Sequence, residues 1–229
     1  MPRRTSTGTC TLCREDFSKA AMTRHLIKCR AEHPPTRGKP RKTFLLKVEG
    51  RYLPDYWLHI EIPAEATLRT LDAFLRDIWL ECCGHLSAFT IENEQYELNT
   101  GGVDAMWPMI FGRGAPPKSM NIRLEAVLRP GLKFFHEYDF GTTTHLALRV
   151  AAEQEGIVPR NAVRILARNH PPPIPCEKCG APATEVCAQC IYDGRGWVCA
   201  SHGRTHKCGE DMLLPVVNSP RVGMCGYTG

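Results

Sequence analysis

The placement of cysteine and histidine constrains this chain more than any other feature. Near the N-terminus it reads Cys10-Thr11-Leu12-Cys13, then eleven residues, then His25-Leu26-Ile27-Lys28-Cys29. A two-residue gap lets two thiolates from one tight turn meet a single ion. A three-residue gap sets His25 and Cys29 about one turn apart on one helix face. Toward the other end stand four more short pairs: Cys176 with Cys179, Cys187 with Cys190, Cys199 with His202, and His206 with Cys208. Eight ligands in that region make two tetrahedral sites with none left over, so the spacing predicts three Zn²⁺ ions in all.

Twelve cysteines in 229 residues would also suit a disulfide framework. Such a framework has no use for the histidines that accompany the clusters, whereas metal ligation uses both residue types. Each predicted site is saturated by protein ligands, which leaves no position for an attacking water and marks the ions as structural. The C-terminal part is under 60 residues, too short to fold on apolar burial alone, so metal binding must stabilise it. Cys82 and Cys83 read as thiols closing an amphipathic helix, and Cys225 as a small buried residue, with a stray metal ligand as the alternative.

Two proline-rich stretches, His33–Pro40 and Asn169–Pro175, can continue neither a helix nor a central strand. They divide the chain into a finger over 1–32, a basic linker over 33–41, a central domain over 42–168, a second linker over 169–175 and a double-zinc module with a turn-rich tail over 176–229. In the central part Thr43–Val48 reads as a strand. Trp57–Ile62 alternates, with Trp57, His59 and Glu61 against Leu58, Ile60 and Ile62. Thr67 caps a helix whose stripe is Leu68, Leu71, Phe74, Leu75, Ile78 and Trp79, with Gly84 at its exit. A hairpin is expected around Glu92-Asn93-Glu94. Three more strands follow, at Lys133–Phe140, Thr142–Ala151 and Ala162–Ala167. Strands outnumber helices, and the class is α+β.

Charge is polarised. Residues 1–42 carry eleven Lys/Arg against three Asp/Glu, residues 43–170 thirteen against sixteen, and residues 171–229 five against five. Lys19, Arg24, Lys28, Arg30, Arg37, Lys39, Arg41 and Lys42 form the positive stretch, which points to DNA or RNA as a partner. The balanced C-terminal part better suits a protein partner. No apolar run approaches the ~18 residues of a membrane span, and the basic N-terminus lacks the apolar stretch of a signal peptide, so a soluble, cytoplasmic protein is expected. Nothing in the sequence speaks to oligomeric state.

Three resemblances sharpen these expectations. The first cluster, with Ser18 as helix cap and Phe17, Met22 and Leu26 as a small apolar cluster, resembles a C2HC zinc finger. The C-terminal C-x2-H-x3-H-x-C pattern is similar to AN-1-type and B-box cross-brace fingers, although its inner gap is shorter than in AN-1-type fingers. Two stacked ribbons would use the same residues. Residues 42–168 resemble the plasmid pRiA4b Orf-3-like family through Tyr56-Trp57-Leu58-His59-Ile60-Glu61-Ile62-Pro63, His85-Leu86-Ser87-Ala88-Phe89-Thr90-Ile91 and Phe135-His136-Glu137-Tyr138-Asp139-Phe140-Gly141. This last resemblance implies a compact α+β domain of bacterial, archaeal and mobile-element proteins, and it implies no activity. The chain departs from the family where Gly141-Thr142-Thr143-Thr144-His145 lacks the usual Asp and Trp.

Walker A, HExxH, GxSxG and dinucleotide fingerprints are all missing. The polar residues of the central part that merit attention for chemistry are Asp139, Glu137, His136, His145, His85 and Arg149. Asp139 reads more simply as a turn aspartate before Gly141. The sequence thus points to a non-enzymatic zinc protein that recognises nucleic acid. A protein adaptor and a nuclease-like enzyme are the rivals.

Overall fold

Long β-branched and aromatic runs make the strands, and non-local pairing joins them. The computed structural model describes residues 6–33, 38–98, 116–159 and 162–229. Its main element is a ten-stranded sheet built from β1 (Thr7–Cys10), β2 (Asp16–Ser18), β3 (Arg41–Gly50), β4 (Trp57–Pro63), β5 (Ser87–Ile91), β6 (Glu94–Glu97), β7 (Lys118–Ser119), β8 (Lys133–Tyr138), β9 (Thr144–Gly156) and β10 (Arg164–Asn169). The spatial order is β2-β1-β10-β4-β3-β9-β8-β5-β6-β7. All pairings are antiparallel except β6 with β7. With helices α1 (Lys19–Glu32), α2 (Leu68–Leu75) and the short α3 (Ala200–Gly203), the fold is α+β.

The expected hairpin joins β5 to β6, with Glu92 and Asn93 both at positive φ (48° and 70°), which suits a two-residue turn to the twist of its strands. Thr67 caps α2, its side chain accepting from the Thr70 N–H, and the helix widens into a π turn over Arg76–Leu80. The strand ending in Tyr138 is shorter than its alternation suggested. Asp139 turns the chain at φ 65°, which leaves Phe140 about half exposed rather than inside.

Both faces of the sheet are covered around β4, whereas along β8 and β9 the second face is half-buried or exposed. One face packs Phe44, Leu46, Leu58, Ile60, Phe134, Tyr138 and Leu148 against Leu68, Leu71, Leu75 and Trp79 of the α2 segment. The other buries Leu45, Trp57, Leu166 and Ala167 beneath Met22 and Leu26 of α1. All seven residues of β4 are therefore buried, the polar His59 and Glu61 included. Each finds a partner on α1: His59 Nε2 lies 2.7 Å from Thr23 Oγ1, and Glu61 pairs with Arg30. Arg164 on β10 holds the second Glu61 oxygen at 2.9 Å.

The hairpin of the first cluster continues the sheet through β10. Gly8 makes this possible, since a Cβ there would lie 2.2 Å from the Arg168 carbonyl oxygen. Residues 176–229 form a second, three-stranded sheet of β11 (Glu185–Cys187), β12 (Trp197–Val198) and β13 (Leu213–Pro215), in the order β12-β11-β13. Val186 and Val222 join the main core, with Ile191, Trp197, Leu214 and Val217 packed against it. The tail docks by polar contacts as well. Trp79 Nε1 and Arg168 Nη2 donate to the Asn218 carbonyl at 3.1 and 2.6 Å, and Ser219 Oγ donates to the Trp79 carbonyl at 2.7 Å.

Candidate metal centres

The first cluster is assembled by a turn and a helix. Cys10 ends β1 and Cys13 lies in the following turn, where the Arg14 N–H donates to the Cys10 carbonyl at 2.9 Å. Ser18 caps α1 as expected, accepting from the Ala21 N–H at 3.3 Å, and α1 then carries His25 and Cys29 on its inner side. Cys10 Sγ stands 3.9 Å from Cys29 Sγ, and Cys13 Sγ 3.4 Å from His25 Nε2. Phe17 stacks on His25 at 3.8 Å between ring centroids, which fixes the imidazole plane.

In the C-terminal part the pairs interleave. Cys176 and Cys179 meet Cys199 and His202, while Cys187 and Cys190 meet His206 and Cys208. His202 Nδ1 lies 3.5 Å from Cys176 Sγ and 3.3 Å from Cys199 Sγ, and Cys179 is 3.8 Å from Cys199. In the second group Cys190 Sγ is 3.6 Å from His206 Nε2 and 3.7 Å from Cys208 Sγ. A tetrahedral ion with bonds of about 2.3 Å to sulfur and 2.0–2.1 Å to nitrogen sets donors about 3.8 Å (S···S) and 3.5 Å (S···N) apart. The three groups match that spacing closely. Gly196 makes room for the Cys187–Cys190 turn: at φ 101° it faces both side chains, and a Cβ would lie 2.8 Å from that of Cys190.

Electrostatics at the clusters follow from how each thiol is held. Burial resists ionisation of Cys176, yet the backbone N–H groups of Lys178, Cys199 and Cys179 bring it down to about 6. Cys187 is likewise resisted by burial and lowered to about 7 by N–H donors of Cys190 and Gln189 and by His206. Cys29 goes the other way, pushed up to about 12 by burial and by neighbouring Cys10. Three thiolates converging on one point repel each other, so a central cation is what makes the full set ionise together.

A fourth group was missed at the sequence level. Cys82, Cys83, His85 and Cys225 place one donor atom each within 4.8 Å of the others, as the three predicted groups do. Cys225 is exposed, not the small buried residue expected, and Cys83 is exposed beside it. Cys82, Cys83 and His85 are near neighbours, but Cys225 lies 140 to 143 positions further along, so no stretch of the chain spells out the complete set. The available signal was arithmetic: each group holds three cysteines and one histidine, and four such groups use all twelve cysteines.

The central polar residues form separate contacts rather than one site, His85 Nε2 lying 3.5 Å from Asp139 Oδ2. His136 is buried with Asp72 at 2.7 Å, beneath α2. His145 faces Glu137 at 3.1 Å, and Arg149 is exposed on the same strand. Asp139 caps its own turn, accepting from the N–H groups of Gly141 and Thr142 and the Thr142 hydroxyl. Burial opposes its charge, but those donors and Arg221 hold its carboxyl well below the usual carboxylate range.

The basic stretch is thinner than its sequence suggests. Arg30 corrects the reading: it is buried and paired with Glu61, so its charge cannot meet a phosphate. Lys19 is bound to Glu49, Arg41 to Glu65, and Lys42 to Glu153 at 3.0 Å. Arg24 and Lys28 are exposed on α1 and Lys39 is exposed before β3, while Arg37 lies outside the described residues. Among the described residues no helix is long and apolar enough to cross a membrane.

No family model and no curated protein matches the chain. A solved structure of a protein of unknown function from Methanosarcina mazei Go1 aligns at 16% identity with a TM-score of 0.48, covering 75% of this chain and 86% of that one.

Proposed function

We propose that this chain is a non-enzymatic zinc protein in which three Zn²⁺ ions shape two recognition modules at the edges of a central sheet. The observation that carries the reading is the convergence of twelve ligands into three Cys3His sets, two of them interleaved. Soft thiolates with one imidazole in a tetrahedral array select Zn²⁺ over the hard cations, and a complete set of protein ligands suits structure rather than hydrolysis. The central sheet, with its Orf-3-like resemblance, serves in this reading as the platform. Metal analysis of reduced protein tests the assignment: replacing Cys10 and Cys13 together by serine removes one equivalent, and a starting content of one ion or none would refute it.

The ligand we infer is nucleic acid, bound by the exposed Arg24 and Lys28 of α1 with Lys39 nearby. So few phosphate contacts and one small finger give weak binding of little sequence preference and steep salt dependence. Arg24→Ala with Lys28→Ala should weaken low-salt binding to duplex DNA or single-stranded RNA uniformly across sequences. Unchanged affinity would shift the reading to a protein adaptor. One surface favours that second reading: the exposed Tyr52, Leu53 and Tyr192 line a cleft of about 330 Å³ between the central sheet and the C-terminal module.

A further inference from the structure

We propose that Cys82, Cys83, His85 and Cys225 bind a fourth Zn²⁺, which clasps the C-terminal tail to the chain leaving α2. Cys83 Sγ stands 3.6 Å from Cys82 Sγ and 3.8 Å from Cys225 Sγ, while His85 Nε2 is 3.0 Å from Cys83 and 3.2 Å from Cys225. The sulfur separations are those of a tetrahedral zinc site, and the histidine needs to move by only a few tenths of an ångström. A disulfide between any two of these cysteines would leave the third thiol and the imidazole without a role.

The local chain is shaped for this convergence. The helical segment stops at Glu81, whose backbone is extended (φ −67°, ψ 124°), and Gly84 at φ 79° turns the chain so that His85 returns toward the two thiols. The Gly84 N–H donates to Glu81 Oε1 at 2.6 Å and closes the turn. From the other side, Cys225 sits at φ 48° between Gly223 (φ 80°) and Gly226 (φ 69°). A left-handed cysteine is strained and persists where its surroundings require it. Those surroundings are docked: Ser219, Arg221, Val222 and Tyr227 are all buried.

Beneath the four donors lies a built outer shell. Arg221 is fully buried and donates to Cys82 Sγ at 3.4 Å, to Asp139 Oδ2 at 2.7 Å, to Thr144 Oγ1 at 3.0 Å and to the Thr142 carbonyl at 3.2 Å. Three thiolates and a neutral imidazole around Zn²⁺ leave one negative charge, which this guanidinium offsets. Such outer partners hold ligands in place and tune affinity. Asp139 Oδ2 is also 3.5 Å from His85 Nε2. When that nitrogen turns its lone pair to the metal, Asp139 keeps Arg221 and Thr142 as partners. This gives the Asp139 turn and the otherwise unexplained buried arginine one shared purpose. Because Cys83 and Cys225 are exposed, this ion exchanges faster than the other three.

The test uses the full chain and the double variant Cys83→Ser with Cys225→Ser, whose positions are at the surface and leave the core intact. Zinc content of reduced protein should be four per chain and fall to three in the variant. A dilute chelator should withdraw one equivalent from the parent in an early phase that the variant lacks. Proteolysis within the tail should speed up about tenfold in the variant as the clasp opens. Equal zinc content in the two chains overturns the proposal. So does a loss of more than one ion, since the thiols would then support the other sites rather than form their own. Doubly substituting Cys10 and Cys13 leaves the early phase in place, so failure of that site reads differently from failure of this one.

Discussion

The finger at the N-terminus and the module at the C-terminus use the same set of three cysteines and one histidine, yet they depend on it differently. The finger is held twice. Its hairpin pairs with β10, and its helix buries Met22 and Leu26 against Leu45 and Trp57 of the main sheet. The module carries its own three short strands, and its two interleaved clusters tie together segments with little regular structure between them. In the zinc reading proposed above, metal would be one anchor among several at the first end and the main organiser at the other. A shared ligand set does not imply a shared role in folding.

The largest effect expected from this difference follows loss of one C-terminal site. Structural zinc contributes on the order of 10 kcal/mol to small modules, so Cys187→Ser with Cys190→Ser should unfold residues 176–229 and abolish their protease resistance. The matched change at Cys10 and Cys13 should loosen α1 while β1 stays paired, with slower hydrogen exchange persisting at the β1–β10 ladder. Equal loss of protection at both ends would break the comparison.

A smaller effect is expected at the polar seam under the finger. Arg30→Ala leaves the buried Glu61 with Arg164 and Thr43 alone. Breaking a buried pair by removing one partner costs about 3–5 kcal/mol, and the remaining Arg164 holds this case toward the low end. Denaturant unfolding should report that loss. A change under about 1 kcal/mol would mean that α1 does not lean on the sheet as described.

The third effect is a pH slope. Burial, with Lys47 close by, lowers the pKa of His59 to about 3, so the folded chain keeps it neutral while the unfolded chain titrates near the ordinary histidine value of 6.5. Its contribution is complete above pH 6.5 and is lost as pH falls toward 3, at up to about 1.4 kcal/mol per pH unit. His59→Gln should flatten the stability profile in that window by this amount. An unchanged profile would assign the acid sensitivity wholly to protonation of the metal ligands.

What the sequence disclosed follows from distance along the chain. Three clusters were legible because their ligands come in pairs separated by no more than three residues. The Thr67 cap, the α2 stripe and the Asn93 hairpin were legible for the same reason, each being set by neighbours. The fourth cluster was hidden because Cys225 reaches its partners through tertiary packing. Counting charges treated Arg30 as surface, whereas its partner Glu61 lies on a strand whose second face only a structure reveals as covered. The alternation of β4 was visible, but what its polar side met was not: it faces the finger's own helix.

X-ray absorption at the zinc edge of the intact, reduced chain would read the ligand shell itself. Because all four groups have the same composition, their average shell is that of each one. Zinc in these groups should be stoichiometric, with three sulfur ligands at about 2.3 Å and one nitrogen at about 2.0–2.1 Å. A shell dominated by nitrogen and oxygen, or zinc far below three ions per chain, would contradict it.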